Sequence, residues 1–69
     1  MESHLGAGYV LYVDGKAKSG QKTLDASQRD AQQYMPSKAR LQIISYAAPA
    51  PSQTWNYDYT IRKWVAFIR

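Results

Sequence analysis

Cysteine is absent from this 69-residue chain, and histidine occurs once, as His4. The first absence excludes disulfides and thiolate metal sites and suits a reducing compartment. The second excludes a zinc site built from several histidines of one chain. Acidic residues are few: Glu2, Asp14, Asp25, Asp30 and Asp58. No two of them have a spacing that recommends general acid–base chemistry, and no His or Cys stands beside them as a partner. Long apolar runs are missing as well. The longest, such as Tyr9–Val13, are far too short to span a bilayer. The opening Met1-Glu2-Ser3-His4-Leu5-Gly6 has neither the basic nor the apolar region of a secretory signal. The expectations are a non-enzymatic protein of the cytoplasm, without cofactor or metal and without a membrane partner.

What the chain does have is positive charge and aromatic rings. Nine Lys or Arg face five Asp or Glu, a formal charge of +4, with a pI near 9.6. That sign favours an acidic partner, either nucleic acid or an acidic protein surface, and argues against a mimic of DNA, which would need the opposite sign. A domain this small buries only about 60% of the surface its unfolded chain exposes. Two Trp, six Tyr and one Phe are the residues best able to supply the missing packing, since each ring buries a large area.

Residues 1–8 read as a flexible lead-in and residues 9–69 as a single domain. Tyr9–Val13 is aromatic and β-branched throughout and predicts a strand. Asp14-Gly15 directly after it signals a type I′ hairpin. The return, Lys16 to Leu24, carries Lys16, Lys18 and Lys22, the pattern of a short edge strand whose lysines discourage further pairing. A helix of about ten residues is expected next, capped through Asp25 with Gln28 or through Ser27 with Asp30. Ala31, Tyr34 and Met35 form its apolar stripe, and Pro36 ends it. Arg40–Tyr46 predicts a central strand, with Leu41 and Ile43 on one face and Ile44 and Tyr46 on the other. Pro49 and Pro51 then imply a stiff, extended connection. Trp55, Tyr57, Tyr59 and Ile61 alternate with Thr54, Asn56, Asp58 and Thr60, and Trp64–Ile68 closes the chain as a strand. A four-residue turn at Thr60–Lys63 joins the last two; one long bent strand is the alternative. The fold class is α+β: a small antiparallel sheet of three to four strands with one short helix packed on one face.

Gly15 to Thr23 has the look of a phosphate-binding loop, but Gln21 separates Gly20 from Lys22 where that motif needs them contiguous. It reads instead as a lysine-rich hairpin arm. The segment from Trp55 to Arg69 interleaves five aromatics with Arg62, Lys63 and Arg69. Such interleaving on a sheet is how single-stranded nucleic acid is stacked and neutralised; the same rings also suit the core beneath the helix. Candidate partner-binding residues are Lys16, Lys18, Lys22, Arg62 and Lys63 for electrostatic capture, with Tyr12 and Tyr46 as aromatic contacts. If the hairpin arm and the Arg62-Lys63 turn share one end of the sheet, they form one basic patch.

In Tyr9 to Gly15, Asp25 to Tyr34, Leu41 to Tyr46 and Arg62-Lys63-Trp64-Val65, the architecture resembles that of small phage-encoded α+β inhibitors of host defence, the type I anti-CRISPR proteins. The resemblance covers most of the chain and shares no specific motif. It implies a non-enzymatic inhibitor that docks on a host protein or nucleoprotein complex, such as a CRISPR effector, and occludes guide-directed DNA binding. Tyr9 to Lys16 and the following helix are also similar to the arm-binding domains of phage integrases, whose sheet is however complete before the helix begins. That departure counts against reading a DNA groove with the sheet; the alternative function is a stand-alone nucleic-acid-binding module that contacts DNA or RNA through a basic-aromatic sheet surface. A self-associating domain, monomer or homodimer, is the third.

Overall fold

A computed structural model describes residues 8–46 and 53–67. The lead-in up to Ala7, the Pro49/Pro51 connection and the end of the last strand at Ile68 lie outside the described residues. The described elements run β1 (Tyr9–Val13), β2 (Lys16–Gln21), α1 (Leu24–Ala31), a 3-10 helix (Gln32–Ser37), β3 (Leu41–Ser45), β4 (Gln53–Asp58) and β5 (Lys63–Phe67). Among the described residues five strands form one sheet in the order β2-β1-β3-β4-β5, antiparallel throughout. The α+β class therefore holds, with one strand more than the three to four expected. The additional strand arises because β2 pairs along its length and residues 53–67 divide into two strands.

Asp14 (φ 52°) and Gly15 (φ 86°) take the paired left-handed conformation of a type I′ turn. In β2 the register breaks between Leu11 and Tyr12: Leu11 pairs with Ser19 and Tyr12 with Ala17, so Lys18 is the bulged residue. From β2 the chain crosses β1 on one face and re-enters the sheet as β3. Thr23 caps α1, its hydroxyl accepting from the Ala26 N–H at 3.1 Å. This replaces both capping pairs expected from the sequence, because the cap lies two residues before Asp25 and four before Ser27, and the helix starts at Leu24. Pro36 does not end the helical segment either. Its ring would collide with the Gln32 carbonyl in an α-helix, and Gln32 is where α geometry gives way to 3-10. The stop comes at Lys38, which takes φ 55° while its N–H bonds the Met35 carbonyl.

Small residues let α1 sit close to the sheet: Ser27 and Ala31, one turn apart, are its buried positions. Beneath it Leu11, Val13, Leu41 and Ile43 form the core, each fully buried side chain of that size contributing about 1.5–3 kcal/mol. Tyr9, Trp55, Tyr57, Tyr59 and Trp64 extend the same face, half-buried. Tyr57 meets Tyr59 and Trp64 edge-on, with centroids 4.9 and 5.3 Å apart. The expected alternation holds through Tyr57 but stops short of Ile61. The β4–β5 turn occupies Tyr59–Arg62, one residue before its expected place, and leaves Ile61 exposed. Arg62 takes φ 57° there, and the Asp58 carboxylate accepts from the Thr60 N–H at 2.9 Å.

Candidate functional site

Antiparallel register decides which cations can act together. β1 ends beside the start of β3, where Val13 pairs with Leu41. The start of β3 lies in turn beside the end of β4, Gln42 pairing with Asn56. The β1–β2 turn, the segment entering β3 and the β4–β5 turn therefore share one end of the sheet. Hydrogen bonds fasten the three together. The Asp14 N–H donates to the Arg40 carbonyl, and the Arg40 N–H donates back to the Asp14 carboxylate, each at 2.9 Å. The Tyr59 hydroxyl donates to the Ala39 carbonyl at 2.6 Å.

This rim carries Lys16, Lys38, Arg40, Arg62 and Lys63, all exposed. Against five cations stand Asp14 and Asp58, a local surplus of three in a chain whose formal charge is +4. Both carboxylates are engaged by backbone N–H groups. Lys16 and Lys63 begin the two edge strands, four strand spacings or about 19 Å apart. The rim is thus a broad basic ridge rather than a pocket for one phosphate.

Of the residues singled out from the sequence, Lys16, Arg62 and Lys63 belong to this rim. Lys22 does not: it follows Gln21, which pairs with Tyr9 at the opposite end of the sheet. Lys18 stands at the bulge, part-way along the outer strand. Lys38 and Arg40, counted from the sequence only as scattered cations, complete the ridge. Each rim cation lies within two residues of a left-handed turn residue, Asp14, Lys38 or Arg62, the one local signal that links them. Arg29 is committed elsewhere, 3.2 Å from Asp25 on the helix surface.

The sheet face opposite α1 presents two adjoining rows. One runs Val10, Ile44, Thr54, Phe67; the other Tyr12, Gln42, Asn56, Val65. Within the second row Gln42 donates to Asn56 at 3.1 Å, from β3 to β4. Tyr12 and Tyr46 meet on this face, hydroxyl to hydroxyl at 2.8 Å. That hydrogen bond, together with burial, pushes the Tyr46 hydroxyl up to about 12. Phe67 is 56% and Val65 45% exposed. The basic-aromatic segment is therefore divided between faces: Trp55, Tyr57 and Trp64 pack on the helix side, while Phe67 remains open to a partner. A concavity of about 480 Å³ beside β4 and β5 is lined by Asn56, Asp58, Val65 and Phe67 among others.

Among the described residues no cluster of His, Asp or Glu is arranged to hold a metal ion, and no helix is long and apolar enough to cross a membrane. Comparison with protein-family models, with curated proteins and with solved structures finds no match.

Proposed function

We propose that this chain is a small non-enzymatic binding protein of the cytosol, an inhibitor from a phage or mobile element that docks on a host nucleoprotein complex of the CRISPR–Cas kind. The observation that carries this reading is the rim, which gathers Lys16, Lys38, Arg40, Arg62 and Lys63 along one end of a hydrogen-bonded sheet. A ridge of that breadth matches an extended polyanionic or acidic surface, and its field steers encounter with one. The resemblance to type I anti-CRISPR proteins supplies the class of target.

The experiment adds the protein to purified type I effector complexes and follows guide-directed binding of a labelled DNA duplex. The wild type is expected to block binding, the triple variant Lys16→Glu, Arg62→Glu, Lys63→Glu to lose the block, and Lys22→Glu to keep it. A triple variant that blocks as well as the wild type removes the rim from the mechanism.

A second reading, a stand-alone nucleic-acid-binding module, is favoured by the exposed Phe67 on the face that carries Tyr12. It requires a direct, steeply salt-dependent shift of DNA or RNA by the isolated protein, weakened by Phe67→Ala. A pull-down with and without nuclease separates the two readings.

A further inference from the structure

The two edges of the sheet are built differently. β2 carries Lys16, Lys18 and a bulge, devices that prevent further strand addition. β5 has one lysine, at its first position, followed by Trp64-Val65-Ala66-Phe67. Its pairing with β4 is unbroken from Lys63 to Phe67, and no other strand of the described residues occupies its outer side. Such an edge presents a regular row of backbone donors and acceptors beside apolar side chains.

We propose that β5 pairs with β5 of a second copy, antiparallel and centred on Val65, joining two sheets into one. In this register Trp64 lies opposite the small Ala66 of the other copy on the helix side, and the two-fold repeats the match. On the open face Val65 meets its own counterpart, and Lys63 lies against the exposed ring of Phe67, a cation–π arrangement. Large side chains thus face small ones, and a cation faces a ring rather than another cation. The two-fold runs perpendicular to the sheet, so both helices stay on one side and the open faces become continuous. The charge distribution selects the same arrangement. Each rim lies at the Lys63 end of its β5, so antiparallel pairing sends the two rims to opposite ends. They are then separated by about 14 Å of strand, well beyond the screening length of about 8 Å in physiological salt. Among the described residues of β5 an acidic partner would find only Lys63 to attract it, whereas a second copy satisfies every one of these positions. Two short strands bury less than a standard interface, so the association is weak and reversible, in the micromolar to millimolar range.

The inference is independent of the nucleoprotein reading. Sedimentation of the full chain over a wide concentration range is expected to show a reversible monomer–dimer equilibrium. Val65→Lys places two lysines directly opposite each other and is expected to weaken the dimer by roughly tenfold or more. Its circular dichroism should be unchanged, because Val65 is exposed. The chain has no native thiol, so Val65→Cys gives a second measurement: mild oxidation is expected to link it across the two-fold much faster than Lys18→Cys on the other edge. A wild type that stays monomeric at millimolar concentration overturns the proposal. So does a dimer that survives Val65→Lys, or equal cross-linking rates for the two cysteine variants.

Discussion

The hydroxyls of Tyr12 and Tyr46 lie 2.8 Å apart although 34 residues separate them in the chain. Between their positions along β1 and β3 lies the Val10–Ile44 pair. The hydroxyl bridge spans that pair in the register, and Val10 is only 1% exposed although it faces away from α1. The tyrosines thus give the open face a small hydrophobic cover of its own, which a domain with a single short helix otherwise lacks.

Replacing Tyr46 with Phe removes that bond and is expected to cost about 1 kcal/mol, read as a lower urea midpoint. The pH dependence has a definite sign. The Tyr46 hydroxyl has an ordinary value of 10.0 and is pushed up to about 12, first by its hydrogen bond to Tyr12. Its contribution is therefore complete below pH 10 and is lost as the pH rises towards 12. The wild type should lose stability across that interval more steeply than Tyr46→Phe. Burial raises the Tyr59 hydroxyl as well, so some alkaline loss remains in the variant.

Asp14 combines a left-handed backbone with a carboxylate that accepts from the Arg40 N–H. Alanine tolerates that backbone poorly and offers no acceptor. Asp14→Ala should lower stability by about 1–2 kcal/mol, while Asp14→Asn, which keeps the turn chemistry of Asn-Gly, should lose much less. Thermal melting of the two variants checks this.

Ser27 is fully buried, and its hydroxyl has no hydrogen-bond partner among the described residues. A buried polar group left unpaired opposes folding, so Ser27→Ala is expected to raise stability by about 1 kcal/mol. The same denaturant titration reads it, and a destabilised variant contradicts the account.

Tyr59 fastens the β4–β5 turn to Ala39 through its hydroxyl. Tyr59→Phe keeps the ring against Tyr57 and removes only that bond, with an expected cost of about 1 kcal/mol. Amide exchange at Thr60–Arg62 should quicken more than exchange at β1, because the tether acts locally.

The sequence by itself determined the local parts. Composition marks β1 and β3, Asp14-Gly15 marks its turn, and the alternation from Trp55 to Tyr57 puts those rings on one face of their strand. These signals are local because side-chain period and turn chemistry depend on neighbouring residues. The helix limits were less legible: the cap is Thr23 rather than the expected Asp25 or Ser27, and the effect of Pro36 fell on Gln32 rather than on its own neighbour. Tertiary structure alone decided which residues meet. A period of two tells which face a side chain takes but not which strand lies beside it. Only the ladder order β2-β1-β3-β4-β5 brings Lys16, Arg40 and Arg62 to one rim while sending Lys22 to the other end. The same order joins Tyr12 to Tyr46 and leaves β5 as the smooth edge. The absence of cysteine and the excess of positive charge were plain from the start; where that charge gathers was decided by strand register, a long-range property that no short window of sequence contains.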